Sequence, residues 1–154
     1  MDNPFFSAYQ HINHPIDWKH AIKLACFPLE QQGKVSAGYA GAIIQATEEN
    51  GPWYILSPEF ALPHARPEEG VLSQQSCLSL LCCSEKIEFP GHPDVRFIIV
   101  LAAANSQQHI LMIQRLVSWL DERDRLHQLS HIHHQDELSK LVTSMSWPVT
   151  DVTT

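Results

Sequence analysis

The run Phe97–Ala103, Phe-Ile-Ile-Val-Leu-Ala-Ala, constrains this chain more than any other. It is rich in Ile and Val and reads as a strand buried on both faces. Cys77–Cys83 is a second apolar strand, and Trp53–Leu56 is a short one. Tyr9–His14 can hold another, stopped by Pro15. Helical patterns lie between them. Asp17 caps a helix through Lys19 to Gln32, with Trp18, Ile22, Leu24, Ala25 and Leu29 on its apolar face. Pro28 should kink or split it at the preceding residue, and Gly33 closes it. Ser36 caps a second helix to about Glu49, with Tyr39, Ile43 and Ile44 inward, ended by Gly51-Pro52. Asn105 and Ser106 offer caps for a helix to about Leu120, with Ile110, Ile113, Leu116, Val117 and Leu120 at helical spacing. A short helix over Glu122–Leu129 follows, then one over Gln135–Met145 carrying Leu138, Leu141 and Val142. Strands alternating with helices predict a three-layer α/β sandwich.

The stretch Ser57–Gly70 has neither helical nor alternating periodicity and reads as a shaped loop. Pro58, Pro63 and Pro67 each fix φ, which stiffens it. His64 stands at its centre. A neutral imidazole is a competent nucleophile near neutral pH, and rigid placement makes it effective. Arg66 can supply the fork-shaped cation that suits a phosphate. On the residues alone, an ordinary surface histidine in a Pro-rich turn is the commoner reading.

At 154 residues, the chain is most simply one domain, residues 1–154, with a core over about 10–145. Residues 1–8 read as a poorly fixed arm and Trp147–Thr154 as a tail. The net charge is −7, with Lys and Arg scattered, so nucleic acid is not an expected partner. No apolar run approaches the roughly 20 residues that span a bilayer, and the N-terminus has no signal core. The expected location is therefore the cytosol. Cys26, Cys77, Cys82 and Cys83 form no Cys-x-x-Cys pair and read as reduced, structural core residues. Phe89–Asp94 reads as a loop.

The run Asn50-Gly51-Pro52-Trp53-Tyr54-Ile55-Leu56-Ser57-Pro58, followed by Phe60-Ala61-Leu62-Pro63-His64-Ala65-Arg66-Pro67-Glu68-Glu69-Gly70, resembles the phosphohistidine signature of a bacterial family. That family is the enzyme IIA domain, mannitol/fructose type, of the phosphoenolpyruvate-dependent sugar phosphotransferase system. The resemblance is strongest to its ascorbate-type and mannitol-type branch. Ser57 replaces a usual Gly or Ala, and Phe60 a usual aliphatic residue. Covering roughly residues 10–145, the resemblance implies a three-layer α/β/α sandwich with a mixed sheet flanked by helices on both faces.

The same resemblance assigns roles. His64 accepts the phosphoryl group on Nε2. The segment Asn105-Ser106-Gln107-Gln108-His109-Ile110 resembles the family's second active-site histidine and its helix, so His109 assists in the same pocket. From the residues alone, His109 in a first helical turn is more commonly a solvated side chain, although unpaired N–H groups there favour anions. Mannitol-type members carry an arginine upstream, where this chain has Thr47-Glu48-Glu49-Asn50. Arg66 is the substitute, unless it simply pairs with Glu68 or Glu69 at the surface. Phe60, Leu62, Pro63 and Ala65 are expected to form an apolar rim around His64. No metal or cofactor is called for. The implied partners are the phosphocarrier protein HPr as donor and the cysteine of a sugar-specific IIB domain, working with a membrane IIC, as acceptor. Ascorbate or a mannitol-like sugar is the implied cargo. The alternative is a regulatory protein of the nitrogen type, in which phosphorylated His64 controls binding to a target.

Other readings compete. His127 and His131 are spaced i, i+4, with His133 and His134 after them, but no third zinc ligand or His-Glu-x-x-His accompanies them. A solvated surface is the commoner reading there. A hydrolase using His64 as base lacks a Gly-x-Ser-x-Gly elbow or a carboxylate pair.

Overall fold

The computed structural model describes residues 6–143. Strands β1 (Ala8–Ile12), β2 (Ile55–Ser57), β3 (Phe60–Ala61), β4 (Cys77–Phe89) and β5 (His92–Ala102) form one sheet in the order β1-β4-β5-β3-β2. The β1–β4 and β3–β5 pairs are parallel, and β4–β5 and β2–β3 are antiparallel. The sheet is therefore mixed, as expected.

Its two faces bury separate cores. Helices α1 (Trp18–Gln31) and α2 (Tyr39–Asn50) cover one face, where Ile22, Leu29, Tyr39 and Ile43 meet Leu81, Ile98 and Val100. Helices α3 (Ser106–Asp121), α4 (Arg125–Ser130) and α5 (Gln135–Thr143) cover the other, where Leu116, Leu120, Leu129 and Leu138 meet Phe97, Ile99 and Leu101. Successive residues of β5 thus enter opposite cores, which is why the Phe97–Ala103 run has no polar side chain. Each fully buried large side chain is worth about 1.5–3 kcal/mol over leaving it exposed.

The structure departs from the sequence-based expectations in several places. Helix α1 is not split at Pro28. Proline removes the N–H that would have bonded the Leu24 carbonyl, and the Gln10 side chain on β1 donates to that oxygen instead, at 2.9 Å. The Asp17 cap forms as expected, accepting from His20 N at 2.8 Å. Ser36 does not cap α2: Gly38 holds the cap position without a side-chain bond. The expected loop Phe89–Asp94 shrinks to the turn Pro90–Gly91, because Phe89 pairs with His92 and Gly91 takes the positive φ of 76° that the turn needs. Ser57–Gly70 is not all loop, since it ends β2 and contains β3.

The expected arm is fixed at least from Phe6: that ring is buried edge-on to Trp119, and Ser7 N donates to Leu78 O. The short helix is broken by Arg123 and Asp124, at φ 52° and 60°, so α4 begins only at Arg125. On α3, Ile110 and Val117 face solvent rather than the core. Residues 1–5, Met145 and the expected tail Trp147–Thr154 lie outside the described residues. All four cysteines are buried and unpaired, and burial pushes the Cys26 and Cys83 thiols up to about 12.

Candidate functional site

Strands β3 and β5 run in parallel, with Phe60 beside Phe97 and Ala61 beside Ile98. Both therefore end at the same edge of the sheet. The chain leaving β3 reaches His64, and the chain leaving β5 enters α3 at Ser106. Carboxyl ends of parallel strands are where such folds commonly place ligands.

The backbone around His64 is held from three sides. Leu62 N donates to Tyr54 O at 3.0 Å, and Leu101 N donates to Pro63 O at 3.1 Å. Ala65 N donates to the Tyr39 hydroxyl at 3.2 Å, and that hydroxyl donates to Leu101 O at 2.7 Å. Beyond Arg66 the chain makes one tight turn, Pro67–Glu69, with Arg66 N donating to the Glu69 carboxylate at 3.0 Å. Gly70 follows at φ 144°, and a Cβ there would fall 2.6 Å from Ser36 Oγ and 3.2 Å from Tyr39 Cβ. Only glycine fits both that backbone and that gap.

His64 Nδ1 lies 2.7 Å from the Leu62 carbonyl. A carbonyl can only accept, so Nδ1 carries the proton and the lone pair of the neutral ring resides on Nε2. Burial pushes the His64 pKa below its ordinary value; the Leu62 bond opposes this and His109 adds to it. Burial lowers His109 as well. Both rings are thus favoured in the neutral form.

The His64 and His109 rings meet edge to face, with centroids 4.5 Å apart. His109 is the fourth residue of α3: Asn105, not Ser106, is the cap, its side chain accepting from Gln108 N at 2.9 Å. The two histidines share an open cleft of about 680 Å³ with Ala46, Glu49, Asn50, Trp53, Ala65, Arg66, Pro67, Glu69, Ser106 and Ile110.

The expected apolar rim is corrected by this geometry. Phe60 and Leu62 are 1% exposed and Ala65 8%, so they anchor the loop in the two cores. The large apolar side chains at the cleft that do reach solvent are Trp53 and Ile110, at 47% and 59% exposure. Trp53 lies 6.0 Å from His64 between ring centroids. The sequence placed Trp53 in a strand and in the signature run without a role at the site; its signal was a large aromatic directly after Gly51-Pro52, at a break between elements. Arg66 is exposed and lines the cleft, and no ion pair joins it to Glu68 or Glu69 among the described residues. The upstream position without a cation contributes Glu49 and Asn50 to the same cleft. An imidazole held in this way can attack an electrophile through Nε2, with a second imidazole and a guanidinium available for the charge that develops.

The remaining histidines are elsewhere. The rings of His127 on α4 and His131, just past its end, are tilted with centroids 4.1 Å apart, both residues exposed, with the His131 ring bonded to His127 O. Among the described residues, no three His, Cys, Asp or Glu side chains are grouped to hold a metal.

Comparisons with known proteins agree with this architecture. The family model described as "Phosphoenolpyruvate-dependent sugar phosphotransferase system, EIIA 2" matches residues 8–145. The mannitol-specific cryptic phosphotransferase enzyme IIA component of Escherichia coli K12 is 37% identical over 128 residues, covering 82% of this chain and 86% of its own. The ascorbate-specific EIIA component of Shigella boydii is 31% identical over 130 residues, covering 81% and 82%. The solution structure of the Escherichia coli mannitol-specific cryptic enzyme IIA superposes with a TM-score of 0.79 at 33% identity, covering 92% of this chain and 97% of that one. With its mixed sheet, its helices on both faces and a family match over nearly its whole described length, the chain belongs to the EIIA type 2 family of the sugar phosphotransferase system.

Proposed function

We propose that His64 is the phosphoryl carrier of this IIA component. In the first step the Nε2 lone pair forms an N–P bond to a phosphoryl group presented by phospho-HPr. The donor's N–P bond breaks, and its electron pair returns to the donor nitrogen. In the second step a cysteine thiolate of a cognate IIB component forms an S–P bond, and Nε2 recovers its lone pair. Nδ1 keeps its proton against Leu62 O throughout. Neither step needs a metal or cofactor, since such transfers depend mainly on in-line placement and on balancing charge over three oxygens.

The observation that carries this reading is the 2.7 Å bond from Nδ1 to Leu62 O, which leaves Nε2 as the nucleophile in a cleft shared with His109. His109 would donate to a phosphate oxygen, and Arg66 would supply the cation absent from the upstream position. Trp53 and Ile110 would give docking partners an apolar margin that excludes water. The protein would work in the cytoplasm beside a membrane IIC, for uptake of ascorbate or a mannitol-like sugar; no helix among the described residues is long and apolar enough to cross a membrane.

The test is labelling with phosphoenolpyruvate, enzyme I and HPr. Acid-labile phosphate should appear on the protein and vanish in His64→Ala. Chasing the label into candidate IIB domains of the mannitol and ascorbate types should empty it onto one cysteine. Label that forms but never leaves would favour a regulatory role, and persistent label on His64→Ala would refute the assignment.

A further inference from the structure

Tyr39 is 0% exposed, yet its hydroxyl is fully used. It accepts from Ala65 N at 3.2 Å and donates to Leu101 O at 2.7 Å. One oxygen therefore joins α2, the residue after His64, and the last turns of β5 before α3. The two histidines ride on the segments this hydroxyl ties together. Gly70 packs against the Tyr39 Cβ and its carbonyl accepts from Ser36 N at 2.8 Å, so the far end of the loop is pressed onto the same residue.

Building on the proposed role of His64, we infer that the Tyr39 hydroxyl is a positioning group for the reacting histidine, fixing the depth and orientation of His64 relative to His109. An aromatic ring is enough to fill the core here. A hydroxyl in that core is costly unless both its bonds are made, and both are made to the backbone that carries the chemistry. Without it, Ala65 N is left unpaired in a buried place, and the loop relieves this by moving outward. Small displacements of a reacting atom are enough to slow transfer strongly.

Ser79 supplies a matched control. It lies on β4, is equally buried, and spends its hydroxyl on Ala25 O of α1 at 2.6 Å, away from the His64 backbone.

The experiment compares Tyr39→Phe with Ser79→Ala by nitrogen NMR of the histidine rings and by initial rates of phosphoryl uptake from phospho-HPr. In Tyr39→Phe, His64 should titrate closer to an ordinary histidine, because it is less buried, and its uptake rate should fall roughly tenfold or more. Ser79→Ala should lose comparable thermal stability while its His64 titration and uptake stay within about twofold of wild type. Equal effects of the two variants, or a Tyr39→Phe protein with unchanged His64 signals and rate, would overturn the inference. Should Tyr39→Phe not fold, amide exchange in the unaltered protein decides: Ala65 N–H should exchange at least about a hundredfold slower than a free peptide, and a near-free rate refutes the tie. Absence of any phosphate uptake by the wild type would fail the carrier reading alone, since the ring titrations and the exchange rate still judge Tyr39.

Discussion

Two pairs of histidines in this molecule stand almost equally close. The His64 and His109 centroids are 4.5 Å apart, and those of His127 and His131 are 4.1 Å apart. Proximity therefore does not separate them. The first pair is assembled from distant segments and partly buried, and the His64 loop is held by the Tyr39 hydroxyl of α2 and by backbone bonds from β5 and the stretch before β2. The second is a local product of i, i+4 spacing at the C-terminal end of α4, with both rings exposed. The tautomer does not distinguish them, since His131 Nδ1 also meets a carbonyl, His127 O at 2.8 Å; what sets the first pair apart is its partly buried place in a cleft that Arg66 shares.

That contrast can be broken most directly by removing the rings. His64→Ala should drop phosphate labelling below detection, while the double change His127→Ala with His131→Ala should leave it unaltered; equal losses would erase the distinction. Next in size is Leu62→Ala, which opens space under the loop in a side chain that is 1% exposed. A cost of about 2–5 kcal/mol is expected in a denaturant titration, and a cost near zero would mean that the loop is not anchored there. Arg66→Ala, at an exposed residue, should slow transfer from HPr roughly tenfold with little change in melting temperature; an unaltered rate would leave charge balance to His109 alone.

The pH dependence is subtler. Folded His64 and His109 both have pKa values lowered, chiefly by burial, so between the lowered folded values and the ordinary value of 6.5 the unfolded chain binds more protons. Their stabilising contribution is whole above about pH 6.5 and is lost as pH falls through the folded values. Melting temperature should decline over that acid interval, and uptake rate should fall with it as Nε2 protonates. His64→Gln should flatten part of the decline. Smallest is the effect of His127→Ala with His131→Ala on stability, expected within about 0.5 kcal/mol in the same titration.

Some of this architecture could be read from residue patterns. Phe97–Ala103 announced a strand covered on both sides, and Asp17 and Asn105 announced helix starts, because these signals are local and depend on near neighbours in the chain. The full length of β4 was also present, in Ile87 and Phe89 alternating with Lys86 and Glu88, but the expected strand stopped at Cys83 and Pro90-Gly91 made Phe89–Asp94 look like a loop. Pro28 misled for a different reason: the partner for the freed Leu24 carbonyl is Gln10, on another element, and local rules cannot see it. The apolar margin was misassigned because residues flanking His64 in sequence point into the two cores, whereas Trp53 and Ile110 reach the cleft from other segments.

Local patterning was enough for the helices and for every strand but β3 among the described residues, for the stiff proline-braced bend, and for the family resemblance centred on His64. Packing was needed to bring His64 and His109 together, which only the resemblance had implied, to aim Nδ1 at the Leu62 carbonyl, and to tie the loop to β5 through Tyr39. The physical reason is the parallel register of β3 with β5, which brings two chain ends far apart in sequence to one sheet edge, and such pairing is a property of the packed sheet rather than of either segment.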